Sequence, residues 1–217
     1  VQETKKISSW SVKIISICNQ IVDELDIAQR FMILLSLIQF TKYFSDAGMA
    51  RSGFSGTISD AARTIANGLL ITEEEFENCT AFIKKKFYQV PSKERLLIVS
   101  DDQEFMKGKI RHFQKDGLSG QILILRIKRA DIYLFKYEGK ATLECNEKYI
   151  FPKHVSIFPR GGALRGEGFS PVYYSDIVSG YVMDTDKHAV NLCVRNLEYS
   201  FKNSSHGIKN FSFQGKT

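Results

Sequence analysis

Apolar residues recur at helical spacing through the first ninety positions and at strand spacing through most of the rest. Behind Ser8-Ser9, which offers a cap, Val12, Ile15, Cys18 (or Asn19), Val22 and Leu25 predict a first helix. Asp26, with Gln29 three residues on, is a capping box. It opens a second helix whose inner face is Phe31, Leu34, Leu35 and Ile38. The stretch from Ser45 to Gly56, with Met49 and Arg51, reads as a loop. Ile58, Ala61, Ala62, Ile65 and Leu69 predict a third helix, stopped near Gly68. Thr72-Glu73-Glu74-Glu75 starts a fourth: Thr72 caps, Glu75 reaches back, and the acids sit at the positive end of the dipole. Phe76, Cys79, Ile83 and Phe87 form its inner face, and Pro91 ends the helical part.

After Pro91 the pattern changes. Leu96–Val99 is a short strand, and Asp101 to Gly117 is polar and mixed. Ile122–Ile127 and Asp131–Tyr137 read as strands. After the Glu138-Gly139 turn, Ala141–Cys145, Tyr149–Phe151 and Val155–Phe158 follow, with Asn146-Glu147 as a second turn. Gly161-Gly162 is another turn, and Pro171–Asp176 and Tyr181–Met183 complete the set. Short strands this closely spaced predict an antiparallel sandwich or barrel. At the end, Val190, Leu192, Val194, Leu197, Tyr199 and Phe201 form one strand. An Asn203–Gly207 turn and a second run, Ile208, Phe211 and Phe213, complete a β-hairpin.

Composition supports a folded chain: 217 residues, 43% hydrophobic and 12% aromatic, can bury a core. The net charge of +6 is scattered among acids. Its densest run, Lys84-Lys85-Lys86, sits at a helix end, where cations offset the macrodipole. Without a binding fold or interleaved aromatic patch, that run does not point to nucleic acid. Cys18, Cys79, Cys145 and Cys193 are far apart and read as free thiols of a reducing compartment. The longest apolar cluster, Phe31 to Ile38, is too short to span a membrane. The first residue is Val1, so the native start is expected to lie upstream.

Catalytic motifs are missing. There is no H-E-x-x-H, G-x-S-x-G or paired-cysteine site. His112, His154, His188 and His206 lie far apart. Ser175-Asp176 beside Tyr173-Tyr174 has no histidine to complete a triad; the tyrosines are expected to pack on the sheet and Asp176 to cap a turn. The terminal Gly215-Lys216-Thr217 imitates a phosphate loop, but the first glycine of that motif would fall at Asn210. No catalytic and no metal residue is therefore assigned.

Three blocks carry a resemblance to the N-terminal region of bacterial ABC-type ATPases. KIISICNQIVDELDIAQRFMILLSLIQF with ITEEEFENCTAFI resembles a TerB-like helical domain. GQILILRIKRADIYLFKYEGKATLECNEKYIFPKHVSIFPRGGALRG with SPVYYSDI resembles a forkhead-associated-like sandwich. VRNLEYSF and the return strand resemble the opening hairpin of the ATPase domain. The fold expected is α+β: a four-helix-type TerB-like domain at 1–90, an antiparallel forkhead-associated-like β domain at 91–188, and a hairpin at 189–217 that begins a truncated ATPase domain.

The resemblance implies functional residues with gaps. TerB-like domains often carry acids after their second helix; here Asp46 stands alone, with Gly48 and Arg51 following, and one carboxylate does not hold a hard cation. Forkhead-associated domains grip phosphothreonine with Arg, Ser and Asn. Asn146 stands where such an Asn would, but Glu147 replaces the usual Gly; Arg160 and Arg165 are the remaining anion-binding candidates. In ABC ATPases the aromatic residue closing the first strand stacks on adenine, which implies Phe201, or Tyr199 in the alternative register.

The expected function is a non-catalytic regulatory and interaction module ahead of an ABC-type ATPase linked to membrane transport. Two alternatives stand beside it: a fragment of an ATP-hydrolysing transporter subunit, and a free-standing anion- or phosphoprotein-binding adaptor. No cofactor is expected in this chain; ATP and Mg belong to the full-length parent. The expected partner is its own ATPase domain or a transporter membrane subunit, with no nucleic acid. The expected location is cytoplasmic, at the inner face of the membrane through the parent transporter.

Overall fold

The computed structural model describes residues 2–47, 54–84, 86–102, 110–182, 191–202 and 207–216. The chain divides after Tyr181 into two compact units. The first is α+β, with helices leading and strands following.

Four helices open it: α1 (Gln2–Glu24), α2 (Ile27–Asp46), α3 (Phe54–Gly68) and α4 (Glu73–Lys84). The local signals hold. Asp26 and Gln29 form the capping box of α2, and Phe31, Leu34, Leu35 and Ile38 are its buried face, joined by Thr41. Thr72 caps α4: its hydroxyl accepts the Glu75 N–H, and the Glu75 carboxylate accepts the Thr72 N–H. α1 departs from expectation. It begins at Gln2, so Ser8-Ser9 lies inside it. Its inward stripe is Ile14, Cys18 and Ile21, while Val12 and Ile15 face solvent. In α3, Ala62 and Ala66 are buried, Ile65 is half-buried and Ala61 is exposed, with Leu69 buried just past the helix; the side chain of Ile58, like residues 48–53, lies outside the described residues.

Gly68 sits where α1 and α3 touch. A Cβ there would stand 2.8 Å from Cys18 Cβ and 2.9 Å from its Sγ. Gly68→Ala is therefore expected to destabilise by about 1–3 kcal/mol through overpacking, although alanine gains about 1 kcal/mol of helix propensity. Urea denaturation checks this, and adding Cys18→Gly should restore most of the loss.

Among the described residues nine strands follow: β1 (Leu96–Ser100), β2 (Arg111–Gln114), β3 (Gln121–Ile127), β4 (Ile132–Glu138), β5 (Leu143–Cys145), β6 (Lys148–Tyr149), β7 (Ser156–Ile157), β8 (Ala163–Gly166) and β9 (Val172–Tyr173). They form a five-stranded sheet, β2-β1-β3-β4-β7, and a four-stranded sheet, β6-β5-β8-β9. The five-stranded sheet is a middle layer. Leu96, Ile98, Leu123, Leu125 and Leu134 join the core under the helices. Their strand neighbours Leu97, Val99, Ile122, Ile124, Tyr133 and Phe135 join a second core with Leu143, Leu164 and Val172 of the other sheet. Successive side chains point to opposite faces, so strands buried on both faces need unbroken apolar runs. The runs LLIV and ILIL answer that need.

Two features correct the antiparallel reading. β2 lies within the stretch read as polar and mixed, and it pairs with β1 in parallel. The segment from Tyr174 is a helix, α5 (Tyr174–Val182), not a continuation of strand. Tyr174, Ile177, Val178 and Tyr181 all pack into the second core, which is helical spacing. Asp176 caps it by accepting the Tyr173 N–H at 2.9 Å. The boundary expected at Pro91 falls between layers that share one core, since α4 and β1 residues pack in the same cluster.

Candidate functional site

The second unit holds β10 (Asn191–Ser200) and β11 (Gly207–Lys216), an antiparallel pair. The register pairs Val194 with Phe213, Leu197 with Phe211 and Tyr199 with Ile208. Between the first two pairs β10 uses one extra residue, and between the last two β11 does. These are two β-bulges, one per strand. Each contains an asparagine in the left-handed region, Asn196 (φ 50°) and Asn210 (φ 50°), a conformation asparagine tolerates well. The Asn196 N–H donates to Ser212 Oγ at 2.9 Å across the pair.

The bulges have a consequence for the side chains. Strict alternation would turn Leu197 away from Val194, and Ile208 away from Phe211. One extra residue in each strand returns them to a common face. Leu192, Val194, Leu197 and Tyr199 then line up beside Ile208, Phe211 and Phe213, with Phe201 just past the end of β10. Cys193, Arg195, Glu198, Ser212 and Gln214 take the other side. Neighbouring rings meet on the apolar face, Tyr199 with Phe201 at 5.2 Å and Phe211 with Phe213 at 5.6 Å.

That face is open. Its large side chains apart from Val194 are 39–55% exposed. Four half-exposed rings and three aliphatic side chains amount to roughly 600 Å² of apolar surface. Apolar patches beyond a few hundred Å² mark interaction sites, and a lone two-stranded hairpin is marginal in water. In the tail motif, Gly215 and Lys216 are extended residues of β11, and Thr217 lies outside the described residues, as do His188 and His206.

The anion candidates are placed as follows. Arg160 Nη2 pairs with Asp131 Oδ2 at 2.8 Å, both side chains exposed. Arg165 stands on β8 directly across from Glu144. Asn146 (φ 48°) and Glu147 (φ 65°) make the left-handed two-residue turn between β5 and β6. The Asn146 amide oxygen accepts the Ala163 N–H at 3.1 Å, which fastens this turn to β8 and the Gly161-Gly162 loop. Asp46 is exposed and lies 4.0 Å from Lys42. Among the described residues no group of His, Cys, Asp or Glu is placed to hold a metal, and no helix is long and apolar enough to cross a membrane.

Comparison adds no relative: no family model, curated protein or solved structure matches the chain.

Folding brings together one polar pair that sequence spacing hides. The Ser100 hydroxyl lies 2.9 Å from His112 Nε2, and the Asp102 N–H donates to the same oxygen at 3.4 Å. Burial lowers the His112 pKa, partly offset by the charge of Asp102. Beside them, Asp101, Asp102, Gln121 and Glu138 border an open cleft of about 520 Å³. Its acids already have work. Asp101 accepts the Gly117 N–H at 3.0 Å, and Glu138 meets Gln121 Nε2 at 3.1 Å and Lys136 Nζ at 3.3 Å. Ser100 is buried, and the hydroxyl–imidazole contact ties the last residue of β1 to the interior of β2. Among the cysteines, Cys18, Cys79 and Cys145 are buried and Cys193 is exposed. Burial first, and the Glu75 charge second, push Cys79 up to about 12, far from a thiolate at neutral pH.

Proposed function

We propose that this chain is a non-catalytic regulatory and interaction module carried ahead of an ABC-type ATPase linked to membrane transport. The observation that supports it best is the uncovered apolar face of the 191–216 hairpin, kept in register by two bulges. A strand pair of this kind belongs in a larger sheet or under a partner surface. The resemblance of these strands to the opening of an ATPase domain names that partner: the ATPase domain itself, reaching a transporter membrane subunit at the cytoplasmic face. ATP and Mg would bind in the parent, where Phe201, 55% exposed and edge-on to Tyr199, is available to stack on adenine.

Two measurements test this. The reading frame past Thr217 is expected to encode a phosphate loop within about twenty residues. A stop directly after Thr217, with no ATPase gene alongside, sinks the proposal, as does ATP turnover by the 217-residue chain alone. In the full-length protein, Phe201→Ala is expected to weaken ATP binding about tenfold, the loss of one stacked ring. Unchanged affinity removes the adenine role but leaves the interaction role standing.

A further inference from the structure

Helix α2 is apolar on two sides. Its inner face is buried, yet Phe40 is 59% and Tyr43 66% exposed on the outer one. A solvent-facing helix normally keeps its outer stripe polar. Phe40 packs against Phe44 at 4.6 Å, so the ring is held in place. Phe40 and Tyr43, with Ile83 of α4 and Val155 of the β6–β7 loop, wall an open groove of about 350 Å³. The loop side is pinned: the Lys153 N–H donates to Tyr137 O at 2.8 Å and the His154 N–H to Phe151 O at 3.1 Å. Lys153 takes a left-handed backbone to allow this turn (φ 62°).

The rim is basic. Lys42 and Lys153 border the groove, with His154 beside them. Among the described lining residues Asp46 is the single acid, 4.0 Å from Lys42. Aromatic walls inside a charged rim are the composition of a protein-binding patch. The volume is at the low end of small-ligand pockets, enough for a few side chains. Two lysines beside a concave slot are too few for stable membrane anchoring, which takes an inserted chain plus a polybasic patch.

We infer that this groove docks a short acidic amphipathic segment of a protein partner, its apolar side chains on Phe40 and Tyr43 and its carboxylates on Lys42 and Lys153. The inference rests on reading the chain as an interaction module. It uses no residue of the hairpin, so either can fail alone.

The test is fluorescence anisotropy on the whole 217-residue chain. The probe is a labelled helical peptide of about four turns with Leu and Phe at i, i+4 and i+7 and glutamates on the flanks; its twin carries lysines instead. The acidic probe is expected to bind about tenfold tighter than its twin, and more weakly as salt rises. Phe40→Ala with Tyr43→Ala should weaken it about tenfold or more. Lys42→Glu with Lys153→Glu should reverse the preference between the twins. All four are surface positions, and unchanged thermal melting verifies folding. Equal binding of the twins, no binding of either, or indifference to the variants overturns the inference. So does capture by phosphatidylserine vesicles without peptide binding, or a dimer that the Phe40/Tyr43 variant abolishes.

Discussion

Tyr181→Ala is expected to cost the fold about 4 kcal/mol. Tyr181 is 3% exposed and packs from α5 into the second core. Its ring meets Tyr133 at 5.5 Å, and the guanidinium carbons of Arg111 and Arg126 lie 5.4 and 5.6 Å from its centre. Its hydroxyl donates to Arg95 O at 2.9 Å, with Ile124 O at 3.4 Å. One side chain thus fastens α5 to the entry of β1 and to β3. Alanine leaves a ring-sized cavity and takes a π face from two cations. Tyr181→Phe keeps the ring and is expected to lose only about 1 kcal/mol, the net value of the hydroxyl's hydrogen bonding. Urea denaturation separates the two. An alanine variant as stable as the phenylalanine one would mean that α5 is not anchored through this ring.

Arg129→Ala is expected to cost about 2–3 kcal/mol at neutral pH, less than for a fully buried pair because Arg129 is 42% exposed. Arg129 in the β3–β4 turn donates Nε to Glu75 Oε1 at 3.1 Å and Nη2 to Oε2 at 2.8 Å, and Nη2 also reaches Leu70 O at 2.6 Å. Glu75 is the capping acid of α4, and its side chain is 6% exposed. Burial alone would raise its pKa. The Arg129 hydrogen bonds and those of Thr72 outweigh that, so the folded value lies below the usual 4.5. A depressed carboxylate contributes stability that is full above about pH 4.5 and fades as pH falls through the folded value. The gap between wild type and Arg129→Ala should therefore be widest at neutral pH and shrink below about pH 4. Equal gaps at about pH 7 and pH 3 would show that the pair's charge carries none of the effect.

What could be read from the chain was what local chemistry controls. The Asp26–Gln29 and Thr72–Glu75 caps act over three residues, and both formed. Asn146-Glu147 turned as its position between two short strands suggested. α5 was less legible because Tyr174 and Tyr181, which read as parts of two short strands, are aromatic residues that also favour strands. The helical spacing of Tyr174, Ile177, Val178 and Tyr181 emerges only when the two runs are joined across Ser175-Asp176 and Ser179-Gly180. β2 was missed because Arg111, His112, Phe113 and Gln114 form a half-buried edge strand with no apolar alternation. In the hairpin, the three-residue steps from Val194 to Leu197 and from Ile208 to Phe211, each spanning an asparagine, were a legible sign of paired bulges.

The sequence by itself determined the four leading helices, the main apolar strands after them, both caps and the hairpin, because each depends on neighbours a few residues apart. Only the tertiary structure decided that the helices and the second sheet cover opposite faces of one central sheet. It also decided that β1 and β2 run parallel, that Ser100 meets His112, and that α2 and the β6–β7 loop enclose a groove. These depend on contacts between residues far apart in the chain. Their free energy comes from burying two complementary surfaces at once, and no stretch of sequence records that alone.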